Sequence, residues 1–259
     1  MELGLAGRPA AVAAGSRGLG LACATALARE GARVAICARD GAGVEAARAG
    51  IAGATGADVV GIVADVGTAE GATGFVRDAA AALGGCQVLV ANAGGPPPGG
   101  SLDFSDEEYL AAIESNFLSA VRMAREALPH MRAAGYGRIV AILGSSVKEP
   151  IPGLALSNAV RLAAVGFLKT LAREVAPEGI TVNAVLPGRL LTDRARQLAA
   201  AQSGSEEEGI AAQAAGVPMG RLGDPRELGD VVAFLAGERA SYLTGVMLSV
   251  DGGMFSGVF

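Results

Sequence analysis

The sequence is short of the residues that usually announce a special chemistry. In 259 residues it has no tryptophan, one histidine, two lysines, three tyrosines and three cysteines. Cys23, Cys37 and Cys86 are scattered and lack Cys-x-x-Cys spacing, which excludes a disulfide scaffold. A net charge of -5 and a pI near 5.1 exclude a nucleic-acid face built from clustered Lys and Arg. With 51% hydrophobic residues and a mean hydropathy of +0.41, the chain also falls outside the disordered class. The longest uncharged stretch, Ala79 to Leu102, is interrupted by Gln87, Asn92, several glycines and Pro96-Pro97-Pro98. No membrane-spanning helix is therefore expected. Glu2 and the strand-like run after it do not read as a signal peptide, so the expected location is cytoplasmic. No metal site is expected, and His130, late in a long helix after Pro129, reads as structural.

What is present is an alternation. Short β-branched runs lie near 10–12, 34–37, 59–63, 88–90, 138–143, 180–185 and 246–250. Ala/Leu/Arg-rich helical segments fill about 17–30, 42–54, 68–83, 106–134, 157–176 and 225–237. Strands apolar on both faces and separated by helices predict an α/β fold, a doubly wound parallel seven-stranded sheet with helices on both faces. Such sheets bind ligands beyond the carboxyl ends of their strands. One domain, residues 1–259, is expected. The segment from Arg189 to Gly216 is Ala-rich and strandless, with Ser203-Gly204-Ser205 and Glu206-Glu207-Glu208. It reads as an insertion covering a site, or else as a solvated surface excursion.

The loop Gly15-Ser16-Arg17-Gly18-Leu19-Gly20 follows a strand and opens a helix. Small residues there let backbone approach a diphosphate, and free N–H groups at the helix start bind it. Its spacing is not the common G-x-G-x-x-G, so alone it is a weak signal, with a tight structural turn as the other reading. Asp65-Val66 ends the third strand, where a carboxylate would accept a bond from an adenine amino group. Asn92-Ala93-Gly94 follows the fourth, and Asn183, Pro187-Gly188 and Thr192 follow the sixth, all expected at the carboxyl edge of the sheet.

Together with Asn116, Gly137-Arg138-Ile139-Val140, Ser145-Ser146, Gly245 and Asp251-Gly252-Gly253, these motifs resemble the short-chain dehydrogenase/reductase family along essentially the whole chain. The resemblance is strongest to the 3-oxoacyl-carrier-protein reductase type. It implies a Rossmann-type fold, a nicotinamide cofactor and a homotetramer (or homodimer) joined by the long helices and the last strand. The apolar end, Val246-Met247-Leu248, Met254-Phe255 and Val258-Phe259, suits such burial or packing on its own subunit. In this family an acidic residue ending the second strand binds the ribose hydroxyls of NAD. Here the position is Ala38, followed by Arg39, and Arg17 lies in the glycine loop. Paired guanidinium donors suit a 2′-phosphate, so NADP(H) is expected over NAD(H).

The resemblance also implies an active site of four parts: an Asn holding a relay water, a Ser bonding the substrate oxygen, a Tyr acting as acid or base, and a Lys four residues later. Asn116 matches the first. Ser145 or Ser146 matches the second, with Ser146 preferred because Val147 follows it. The Tyr position falls on Ser157 and the Lys position on Arg161. A serine hydroxyl is a far weaker acid than a phenol near pKa 10, and arginine keeps its proton. Arg161 would still bind the nicotinamide ribose. Tyr109, Tyr136 and Tyr242 offer no evident path to the site. Lys148 is either a substitute acid or carboxylate anchor in the loop after Ser146, or a surface lysine beside Glu149. Ala13-Ala14, Gln87 and Ala91 are lesser departures from the family pattern.

Three readings of function are therefore open. One is an NADP(H)-dependent oxidoreductase of a carbonyl or alcohol substrate, with a reworked relay through Ser157 and Arg161. Another is a nucleotide-binding sensor or partner subunit without redox turnover. The third is a dehydratase or isomerase on the same scaffold.

Overall fold

The computed structural model describes residues 1–258, and of 201–203 the backbone alone. Seven parallel strands form one sheet in the order β3-β2-β1-β4-β5-β6-β7. They are β1 (Pro9–Val12), β2 (Arg33–Ala38), β3 (Val59–Val63), β4 (Val88–Ala91), β5 (Gly137–Ile142), β6 (Ile180–Pro187) and β7 (Met247–Val250). The lateral direction of the chain reverses between β1 and β4, which open a crevice at their carboxyl ends. All seven expected strands are present.

Alternate strand residues serve two cores. On one face Ala11, Leu89, Ile139 and Val182 pack under α3 (Ala69–Leu83), α5 (Ser119–Ala134) and α6 (Ala155–Val175). On the other, Ala10, Val88, Val140 and Val185 pack under α1 (Gly18–Arg29), α2 (Gly41–Thr55) and α9 (Pro225–Ala236). Burial on both faces explains why the strands read as apolar runs rather than alternations. Helix starts carry their own signals. Asp40 accepts from the Ala42 and Gly43 amides ahead of α2, and Asp224 with Glu227 forms a capping box at α9.

The predicted long helix over 106–134 is interrupted. It runs as α4 (Asp106–Ile113), a π-helical turn (Glu114–Leu118) and α5. The segment from Arg189 to Gly216 contains two helices, α7 (Asp193–Ser203) and α8 (Glu206–Ala215), which pack on each other rather than on the sheet. Gly209 permits that contact, since a Cβ there would meet the Ala199 carbonyl oxygen at 2.3 Å.

One helical stretch departs from expectation. Ala155–Glu178 is long and apolar enough to cross a membrane by length and composition, at a hydropathy of 1.2. Its charges, Arg161, Lys169, Arg173, Glu174 and Glu178, break the run in the sequence. In the fold Leu156, Val160, Ala164, Leu168 and Val175 are buried.

The opposite, amino-terminal edge of the sheet is closed by a cation stack. The Tyr136 ring lies between the guanidinium groups of Arg8, 3.6 Å from its centroid, and Arg138, 4.1 Å away. Its hydroxyl donates to the Ala236 carbonyl at 2.6 Å. Asn183 lies inside β6, not at the carboxyl edge as expected. Its side chain donates to the Leu243 carbonyl and accepts from the Val246 amide, which makes it a structural clamp.

Burial pushes the Cys23, Cys37 and Cys86 thiols up to about 12. The unfolded chain releases these protons near pH 9, so the thiol contribution to stability is intact below that value. It is lost as pH rises from there towards 12. At pH 8 none of the three thiols should react with an aromatic disulfide reagent in the folded protein, and all three should react in urea.

Candidate functional site

The site is assembled from loops that leave the carboxyl ends of β1, β4, β5 and β6. After β1 the chain turns through Ala13–Arg17 into α1. Ala14 holds a φ of 48°, the one left-handed non-glycine among the described residues. Gly20 must be glycine here, because a Cβ would stand 2.2 Å from the Ala14 carbonyl oxygen. The Gly15 amide donates to the Cys37 carbonyl at 2.9 Å and ties the loop to β2. Ser16 is half-buried and Gly18 opens α1. Arg17 is exposed at the N-terminus of α1, and Arg39 is exposed just past the end of β2.

Asp65 is exposed after β3, and its Oδ1 accepts from the Gly67 amide at 2.9 Å. Val66 turns inward to join the core. Gly94 is exposed, with nothing within 4 Å of the place its Cβ would take.

A cavity of about 310 Å³ opens above β5 and β6. Ser145, Ser146, Ser157 and Arg161 line it, with Leu19, Pro187, Gly188 and Thr192 on the nucleotide-loop side. Both candidate serines belong to one 3-10 turn, Ser145–Val147, and Ser146 is the buried one. Ser157 and Arg161 lie one turn apart on α6 and face the same space. Thr192 also caps α7, accepting from the Ala195 amide at 3.2 Å. Leu143, Gly144, Ile151, Leu154 and Leu190 complete the lining. Ile151 and Leu154 had no signal in the sequence, because they sit in an irregular loop without periodicity, and Leu190 was marked only as part of the Arg189–Gly216 segment.

A second space of about 20 Å³ lies deeper, walled by Asn92, Ala93, Asn116, Ser119 and Arg161. That volume suits one water molecule. Asn116 is buried and sits in the π-helical turn, a feature that often marks functional positions. Its Nδ2 donates to Ser115 Oγ at 2.9 Å. Arg161 belongs to both spaces.

Among the described residues, neither cavity is lined by a tyrosine, a lysine or a histidine. Tyr136 is at the opposite edge, Tyr109 donates to the Ser101 carbonyl, and Tyr242 is fully exposed. Lys148 is a surface residue as one reading held, but its partner is the Phe255 ring, 4.8 Å away, and not Glu149. Burial pulls the Arg161 pKa below the ordinary arginine value. Its Nε is sealed from solvent and has no hydrogen-bond partner.

This geometry has close counterparts. Residues 13–255 match the family model described as enoyl-(acyl carrier protein) reductase. The chain is 37% identical over 249 residues to the 3-oxoacyl-[acyl-carrier-protein] reductase FabG of Escherichia coli K12, covering 96% of this chain and 98% of that one. It is 34% identical over 250 residues to human dehydrogenase/reductase SDR family member 4, covering 96% and 88%. The chain belongs to the short-chain dehydrogenase/reductase family. It is an oxidoreductase of that type. L-Sorbose reductase from Gluconobacter frateurii, solved with NADPH and L-sorbose, superposes with a TM-score of 0.95 at 32% identity over all of both chains. YwfH, an NADPH-dependent reductase involved in bacilysin biosynthesis, superposes at 0.92 with 28% identity, covering 97% of this chain and 99% of its own.

An L-residue in the left-handed region costs about 1 kcal/mol that glycine does not. Ala14→Gly should therefore stabilise this short-chain reductase, raising the thermal midpoint by about 2–4 °C. Calorimetry on both proteins checks this.

Proposed function

We propose that the protein is an NADP(H)-dependent oxidoreductase interconverting a carbonyl and an alcohol. The observation that carries the cofactor preference is at the end of β2. Arg39 stands there, Arg17 lies in the loop after β1, and the acid next in the chain, Asp40, is committed to capping α2 through both carboxylate oxygens. No carboxylate is left at that position to receive ribose hydroxyls, whereas two guanidinium groups suit a 2′-phosphate. The solved neighbours that carry or use NADPH support the same reading.

The loop fits a dinucleotide. Gly20 lets α1 start tightly against the Ala14 turn, so the first amides of the helix face the crevice. Asp65 keeps Oδ2 for an adenine amino group, and Asn92, Ala93 and Gly94 line the far side. Pro187, Gly188, Leu19 and Thr192 would bracket the nicotinamide, and the terminal nitrogens of Arg161 its ribose. When bound, the cofactor supplies or takes a hydride at the nicotinamide ring.

Ser146, buried beside the cavity, donates to the substrate oxygen, with Ser145 next to it on the same turn. Ser157 is too weak an acid to give up a proton alone. The proton instead travels through water. Asn116 and Arg161 wall the one-water space, and Ser157 carries the chain of hydrogen bonds into the larger cavity. The α7–α8 hairpin, rooted at Leu190 and Thr192, covers the substrate. The half-covered last strand, where Leu248 is 36% exposed, supports assembly as a homotetramer (or homodimer). The absence of a tyrosine from the cavities favours a second reading, a binding protein without turnover. Similarity to named reductases weighs against it.

Titration followed by nicotinamide emission should show NADPH binding about ten- to a hundredfold tighter than NADH, the scale of one or two charge-assisted bonds. Arg39→Asp should erase that preference. Equal binding of the two cofactors, or none, overturns the proposal. Ser157→Tyr combined with Arg161→Lys should raise the turnover of simple ketones at least about tenfold, because a positioned acid is worth about a hundred- to ten-thousandfold. Asn116→Ala should remove turnover and spare NADPH binding; if no turnover exists to remove, the binding-protein reading stands.

A further inference from the structure

The fold shows what it does with a buried arginine that is purely structural. Arg138 is desolvated at the amino edge, and it is satisfied there. Its Nε donates to the Gly237 carbonyl, its Nη1 to the carbonyls of Gly137 and Gly179, and its plane stacks on Tyr136. Arg161 receives none of this. No side-chain hydrogen bond to it is found among the described residues, its Nε is orphaned, and burial alone shifts its pKa. None of the eight ion pairs among the described residues includes it, and no Asp or Glu lines either space it borders. A guanidinium cannot discharge itself by losing its proton. Arg161 is half-buried and only its Nε is sealed, so its terminal nitrogens face the cavity, where an anionic ligand group would answer the charge better than water does.

We propose that the cavity takes a substrate bearing a carboxylate, and that Arg161 is the group that holds it. This rests on reading the cavity as the substrate site. The nicotinamide ribose shares these terminal nitrogens, each of which carries two N–H donors, but its hydroxyls are neutral and leave the charge unanswered. A planar carboxylate matches the donor fork. The rest of the polar lining agrees, because Ser145, Ser146 and Ser157 are hydroxyls that donate to the remaining lone pairs. Access is kept by glycines. A Cβ at Gly144 would lie 3.2 Å from Nη1 and would crowd the fork, whereas one at Gly95, 3.8 Å from Nη2, would only touch it. The volume vacated by a smaller residue at position 157 lies one helical turn from the guanidinium. At about 310 Å³, shared with a nicotinamide, the space admits a small acid rather than a long one.

The test compares pyruvate with pyruvamide, which match in shape and differ in charge. Each is titrated by calorimetry against the free protein and against protein saturated with NADPH. Pyruvate should bind about tenfold tighter or better, the worth of one charge-assisted pair. Arg161→Gln should abolish that preference while pyruvamide binding persists, and Arg161→Lys should retain most of it. Ser157→Asp offers a second route if the glutamine variant does not fold, since it places a permanent carboxylate beside Arg161 and should exclude pyruvate. Equal binding of the two ligands by the wild type, or a preference that survives Arg161→Gln, overturns the inference. NADPH binding without preference for pyruvate sinks this inference alone. Preference for pyruvate without NADPH binding sinks the cofactor reading and leaves the carboxylate site standing.

Discussion

Parallel pairing makes every strand of the sheet end at the same edge, and the reversal between β1 and β4 forces the loops there to part. Everything at the site follows from how closely backbones approach in that gap. Ala14 accepts a left-handed conformation, and Gly20 gives up its side chain so that α1 begins directly against the turn. The helix is then aimed by packing behind it, where α1 and α9 lie together on one face of the sheet. The strained turn is thus held in place by a core that closes elsewhere.

On the proposed reading, the second determinant is the exchange of a titratable pair for one that does not titrate. By its resemblance to the family, Ser157–Arg161 replaces a phenol whose acidity an ammonium group adjusts. The replacement keeps the positive charge, the helical spacing and the contact with both cavities, and it drops the acid. What remains is a set of donors around a fixed cation, with one water-sized space beside it. Such a set stabilises negative charge well and delivers protons only through solvent.

Much of this was legible in the sequence. The central strands β1, β4, β5 and β6 show as apolar runs because both faces of the sheet are covered there, and the nucleotide loop shows because glycine is demanded by contact. Asn116, Ser146, Ser157 and Arg161 were found by position in a motif order, and the fold brings them to the two connected spaces. Other features had no local signal. The π-helical turn around Asn116 forms where α4, packed on α6, gives way to α5, packed on β4 and β5. Ile151, Leu154 and Leu190 reach the cavity from loops whose course is set by distant contacts, such as the Gly99 bridge to Leu154. Asn183 looked like a ligand because it is a polar residue in an apolar strand, and it proved to fasten the turn before β7. The solitary state of Arg161 is also a three-dimensional fact, since nothing in a one-dimensional pattern says which acids fail to reach a cation.

The α7–α8 hairpin leaves the body of the protein and returns to it at one pinch, with a second tie where the Met219 amide donates to the Gly252 carbonyl at 3.2 Å. Leu191 donates its amide to the Gly223 carbonyl at 2.8 Å, and Gly223 returns a bond to the Arg189 carbonyl at 3.0 Å. Entry and exit are therefore stapled together, and the two helices between them cling mainly to each other. An excursion built in this way is a cassette. Its length and composition can drift, or be exchanged for another, without disturbing the register of a single strand. On this architecture the choice of substrate can evolve at a different pace from the redox core, because the two parts share a doorway and little else.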